Sequence, residues 1–237
     1  MKKYEFTDEV KVVFGITLHR IRAAVSFGIV AKGELGGWIE KEENLSQNDN
    51  AWVCDNAKVC GNAKVCGNAK VCGNAWVCDN AWVCGNAKVC GNAKVCDNAW
   101  VCDNAWVCGN AKVCGNAWVC DNAWVCDNAK VCGNAKVCGN AWVCDNAKVC
   151  GNAWVCDNAK VCGNADYIVF KNWWSSGRYF TWTRSNNKWS VGCFYGTGEE
   201  LIKKAYKDSE KSGREYERIV KYVESILADD NNEKTTK

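Results

Sequence analysis

The chain has 237 residues, among them 20 Cys, 14 Trp, 21 Gly, one His and no Pro, and its 30 Lys plus Arg against 27 Asp plus Glu leave a net charge of only +3. That balance argues against a strongly basic nucleic-acid binder, and no apolar run approaches the ~20 residues of a bilayer-spanning helix. A single His excludes every site that needs two or more imidazoles.

In chain order, the opening MKKYEFTDEV has two lysines but no apolar stretch before its acids, so it does not read as a secretory signal and a cytoplasmic location is expected. Residues 1–50 read as a β-rich cap, with strand-like segments at 10–14 and 16–25. Gly36-Gly37-Trp38-Ile39 then leads into a first irregular coil, with Leu45 and Asn50 near the register of the repeat array.

Residues 51–164 are nineteen consecutive six-residue units without insertion or deletion, each reading Ala, Trp or Lys, Val, Cys, Asp or Gly, Asn. Six is not a helical period, since residues six apart on a helix point in different directions. Ala-Trp/Lys-Val-Cys alternates as a short strand. Lys has no place unpaired in an apolar interior, so the Trp/Lys position points out, Ala and Val point in, and Cys points out. The Asp/Gly-Asn pair turns a corner, because Gly and Asn tolerate positive φ and Asp forms turns well. Repetition makes a mainly β protein, a solenoid with three units per eighteen-residue coil and parallel sheets on three faces. A twelve-residue, two-faced coil is the alternative. Both ends of such a stack are sheet edges that need covering.

After Asn164, residues 167–170, 178–184 and 189–193 are strand-like, the last two joined through a Ser185-Asn186-Asn187-Lys188 turn. Thr197-x-x-Glu200 and Ser212-x-x-Glu215 open two helices, the second with Tyr216, Ile219, Val220, Val223, Ile226 and Leu227 on one face. Residues 165–228 are therefore expected to form a small α+β region, and 229–237 a polar, disordered tail.

The flanks carry a resemblance. Tyr4-Glu5-Phe6-Thr7, Thr17 to Ala23, Leu35-Gly36-Gly37-Trp38-Ile39-Glu40 and Asn44-Leu45-Ser46 resemble the N-terminal frame of bacterial and prophage hexapeptide-repeat proteins. The Asn-Ala-x-Val unit and Gly192-Cys193-Phe194-Tyr195-Gly196-Thr197 before Glu199-Glu200 are similar to theirs too. The resemblance spans nearly the whole chain. It implies a left-handed parallel β-helix with capped ends and little about activity, since such proteins carry transferase-like or polymer-forming labels from the repeat alone.

Hexapeptide acyltransferases use a His at a coil corner. This array has none, and His19 lies on a strand of the cap, so no catalytic residue is assigned and a non-enzymatic protein is expected, with an acyltransferase as a remote alternative. A three-His zinc site of the γ-carbonic-anhydrase kind is excluded. The outward thiols fall into three columns. One runs Cys54, Cys72, Cys90, Cys108, Cys126, Cys144, Cys162, the others from Cys60 to Cys150 and from Cys66 to Cys156 in steps of eighteen. They are expected as free thiols. No cofactor is required. The alternative is a soft-metal or thiol-reactive ladder on the first column, which suits two-coordinate Cu(I) better than Zn(II). Stacked Asp pairs such as Asp79 and Asp97 read as turn residues rather than cation ligands.

Trp and Lys share the remaining outward position. Trp82, Trp100 and Trp118 stack on one face, Trp106, Trp124 and Trp142 on another, and the third is nearly all Lys with Trp76 the exception. Exposed aromatic strips of this kind commonly mark interaction sites. The expectation is a structural or protein-interaction scaffold. Its partner is a protein or a second copy, with carbohydrate or single-stranded nucleic acid as alternatives and no membrane. Trp173, Trp174 and Arg178 are candidates for a second contact.

Overall fold

Alternation within the six-residue unit decides the core. In the computed structural model, which describes residues 2–235, nineteen two-residue strands, β4–β22, run from Trp52–Val53 to Lys160–Val161, each pairing an outward Trp or Lys with an inward Val. Every Ala and Val of the array is at most 1% exposed, and burying each Val contributes roughly 1.5–3 kcal/mol before the entropy of ordering is subtracted.

Strand pairing is parallel in steps of eighteen residues, as in Val53 against Val71 and Val59 against Val77. The eighteen-residue coil therefore holds and the two-faced coil does not. The faces form one sheet of seven array strands, one of six, and a third whose six array strands continue into the N-terminal region. The result is a mainly β solenoid of about seven turns. Coil bonds to coil: Trp52 N–H donates to the Ala69 carbonyl and Cys54 N–H to Val71, both at 2.9 Å. The backbone groups of the strands are thereby satisfied within the protein.

Each corner is a tight turn, closed where Ala57 N–H donates to the Cys54 carbonyl at 3.1 Å. Its first central residue is left-handed, φ 54° at Asp55 and 67° at Gly61, and its second, the Asn, is not. That is the type II′ pattern. Asn was expected to share the left-handed role and does not. Its amide instead builds ladders along the corners, such as Asn104 to Asn122 to Asn140 to Asn158 at 3.1–3.2 Å.

The N-terminal region covers the first coil. Strand β1 (Tyr4–Val13) pairs antiparallel with β2 (Ile16–Ala23), β2 with β3 (Leu35–Ile39), and β3 lies parallel to β5 (Lys58–Val59). Gly36 and Gly37 permit that approach, since a Cβ on Gly37 would lie 2.7 Å from the Ala57 carbonyl oxygen. Remaining edge carbonyls are capped by side chains. Buried Lys3 donates to the Ala51 carbonyl at 2.8 Å, and Asn44 donates to that of Ala63 at 2.9 Å. Leu45 bridges to Val65, so the irregular first coil is in register. The hairpin does more than cap: Leu18 packs against Cys60, Cys78 and Cys96, and Phe14 stacks on Trp76 with ring centroids 5.4 Å apart. At the far end, Asp166 takes the N–H groups of Cys162 and Gly163 at 2.8 and 2.7 Å.

The chain divides into two compact units, Met1–Asp166 and Tyr167–Lys237. The second is a four-stranded antiparallel sheet of β23 (Tyr167–Lys171), β24 (Tyr179–Thr183), β25 (Lys188–Val191) and β26 (Phe194–Gly196), followed by helices α1 (Gly198–Asp208) and α2 (Glu210–Thr235). The Thr197/Glu200 capping box starts α1. Phe180, Trp182, Trp189, Leu201, Tyr216 and Val220 lie in the core of this unit. Helix α2 begins two residues before Ser212 and runs through the polar stretch read as a tail, with Arg184 bound to Asp230 at 2.6 Å. Residues 236 and 237 of that tail lie outside the described residues. Among the described residues no helix is long and apolar enough to cross a membrane.

Candidate functional site

The outward Trp/Lys position places both expected strips, and the two differ in geometry. Trp82, Trp100 and Trp118 stack nearly parallel, with centroids 5.1 and 5.2 Å apart and planes 5° and 8° from one another. Lys64 closes one end, 5.3 Å from the Trp82 ring, and Lys136 the other, 5.1 Å from Trp118. The ring faces are thus occupied by one another and by cations.

In the second strip Trp106, Trp124 and Trp142 lie edge to face, centroids 4.7 and 5.7 Å apart and planes crossing at 65° and 69°. Trp106 and Trp142 each donate the indole N–H to a thiol one coil below, Cys90 and Cys126, at 3.1 Å. Trp124 makes no such bond among the described residues. Lys88 and Lys160 sit 5.0 and 5.1 Å from the Trp106 and Trp142 rings. Trp118, Trp124 and Trp142 are the array indoles that count as exposed, at 40%, 39% and 42%. Between Trp124 and Trp142 the surface forms an open depression of about 350 Å³, lined also by Asn122, Asn140 and Ala141.

The third face is not free along its length. Trp76 has Lys58 and Lys94 on its two sides, 6.0 and 5.3 Å away, and Phe14 on its ring. Lys11 lies 3.7 Å over Trp38, and burial, reinforced by Lys58 and Arg20, holds its ammonium down to about 8. Nothing in the composition of the hairpin announces that it lies across a sheet face. The residues that pack on that face are Val13, Ile16 and Leu18, while Val10 and Val12 on the same hairpin stay exposed, so its apolar residues do not by themselves mark the covering side.

The thiols lie outside the Val/Ala interior, as alternation requires, but are less accessible than expected. Cys60, Cys78, Cys96, Cys126, Cys144 and Cys156 are buried, covered by neighbouring rungs, by indoles and, for the first three, by the hairpin. They are also not all free. Cys54 joins Cys72 and Cys144 joins Cys162 as disulfides, while sixteen cysteines stay reduced. The column proposed as a metal ladder is therefore interrupted at both ends, and its thiols are Cys90, Cys108 and Cys126. Neighbouring thiols of a column shift one another. A bond from Cys78, with Trp76 assisting, holds Cys60 down to about 7, while the Cys78 thiol itself is pushed up. Cys102 likewise holds Cys84 down to about 7, and burial pushes Cys108 up to about 11.

Four groups of mixed ligands converge within 4.8 Å: Cys54–Asp55–Cys72 and Cys144–Asp145–Cys162, whose sulfurs are joined as disulfides, and two with free thiols, Asp79–Cys96–Asp97 and Asp103–Cys120–Asp121. Their carboxylates already serve the fold. Asp97 accepts from Gly115 N–H at 2.8 Å and Asp121 from Gly139 N–H at 3.0 Å, one coil on. His19 stacks on Phe6, with centroids 4.9 Å apart.

In the second unit Trp173 is 70% exposed, but Trp174 is a core residue at 8%, so the expected pair is split. Arg178 borders a hollow of about 310 Å³ between the sheet and helices of that unit. No protein-family model matches this chain, and no curated protein matches it.

Proposed function

We propose that this protein is a non-enzymatic binding scaffold, a rigid cytoplasmic solenoid that offers the Trp106–Trp124–Trp142 strip to a partner. The observation that carries this reading is the contrast between the two strips. In one the middle ring, Trp100, is half-buried within a flat stack, while in the other the middle ring, Trp124, is exposed and borders a depression on a rigid support. Concentrated, exposed, immobilised indole is costly to keep in water and favours a partner that covers it. The resemblance of the flanks and repeat to hexapeptide-repeat proteins supports a left-handed winding of the coils.

The test is affinity capture from the native host, comparing the wild-type chain with a variant in which Trp106, Trp124 and Trp142 are all Lys. Lys occupies the same position in ten of the nineteen units, so the fold tolerates it. Partner capture should fall at least tenfold. Equal capture by both proteins would remove the strip from the account.

A further inference from the structure

We propose that Trp124 and Trp142, with the corner amides of Asn122 and Asn140, form a subsite for a neutral oligosaccharide. The assignment rests on the scaffold reading and names the chemistry that its exposed strip recognises.

A pyranose ring has an apolar C–H face and a rim of hydroxyls that are both donors and acceptors. A matching site needs an aromatic face held still and polar groups at its edge that also donate and accept. The depression has these features. Trp124 is turned 65° from Trp106 and 69° from Trp142, which breaks the stack and brings indole surface to solvent. Its neighbours on both sides are anchored by N–H to thiol bonds, so the rotation is confined between fixed rungs.

Each corner amide has two N–H donors and two acceptor positions on its oxygen. The ladder from Asn104 through Asn122 and Asn140 to Asn158 uses one donor and one acceptor of each amide. One donor and one acceptor per amide remain, repeated at the coil spacing beside the indoles. The Trp124 N–H adds a further donor. No charged side chain lines the depression itself, and one cation, Lys160, stands 5.1 Å from the Trp142 ring. A single-stranded nucleic acid, which needs cations along its phosphates, therefore fits this lining less well. The flat Trp82–Trp100–Trp118 strip lacks the turned ring and serves as an internal control.

Saturation-transfer NMR on the full chain tests this, with a panel of neutral oligosaccharides built from glucose, mannose and N-acetylglucosamine, and an oligothymidylate as competitor. At least one sugar should receive saturation from indole protons. Its affinity should fall tenfold or more in Trp124→Lys and change less than twofold in Trp100→Lys. Absence of transfer to every sugar, equal binding by Trp124→Lys, or displacement by the oligothymidylate at lower concentration than the sugar each overturns the assignment. Partner capture that depends on the strip while no sugar binds would sink this assignment and leave the scaffold reading standing. Loss of both would sink the two together.

Discussion

At each corner one residue must adopt a left-handed backbone, and only Gly and Asp do so in the array. Gly has no Cβ to clash, while Asp offsets part of the strain because its carboxylate reaches the corner N–H one coil on, as Asp97 does to Gly115 at 2.8 Å. At Gly91 an added Cβ would lie 2.9 Å from the Gly109 carbonyl oxygen. Gly91→Val should therefore lower unfolding free energy by about 1–3 kcal/mol. Gly91→Asp, which places Asp beneath Gly as at position 97, should cost at most about 1 kcal/mol. Urea denaturation of the two variants checks this, and equal losses would refute the role given to the carboxylate. The same residue scale explains the Asn position. Its amide ladder resembles those that stabilise stacked in-register strands, and it needs identical residues at eighteen-residue spacing on every corner.

At the scale of elements, the N-terminal hairpin acts as a clasp on the third face. Leu18, fully buried, holds it against Cys60 and Cys78, and Phe14 lies on Trp76. Leu18→Ala removes most of that contact at a cost of about 2–5 kcal/mol. Because solenoid coils depend on their neighbours rather than on the hairpin, the loss should be local. Iodoacetamide labelling read by mass spectrometry should then show Cys60 and Cys78 reacting several-fold faster, with Cys108 unchanged and the far-ultraviolet circular dichroism of the array retained. Unchanged labelling of Cys60 would mean that the neighbouring rungs, not the hairpin, shield it.

Over the molecule as a whole, a repeat whose coils contact only adjacent coils has stability close to a sum of nearest-neighbour contributions. Excision of residues 93–110, three units, keeps every later unit on its own face and should leave a folded protein with the Trp124–Trp142 pair intact. Excision of six residues, 93–98, also preserves the Val core. It moves every later unit to the next face, carrying Trp106, Trp124 and Trp142 onto the column of Trp82. Near-ultraviolet circular dichroism should therefore change strongly in the six-residue variant and little per indole in the other. A global loss of β signal in the eighteen-residue variant would contradict the nearest-neighbour account.

The solenoid and the inward Val and Ala were legible from residue spacing, because a repeated unit has one hydrophobic face to bury. The eighteen-residue coil, and with it the membership of both Trp strips, was one of two spacings that the repeat allows, and the strand pairing decided it. Tertiary structure alone decided the rest. It turned Trp124 out of the stack, laid the hairpin over Cys60, buried Trp174, joined Cys54 to Cys72, and carried α2 through the polar stretch to Thr235. Each of these depends on contacts between residues far apart in the chain or on the choice among side-chain rotamers, and periodicity constrains neither.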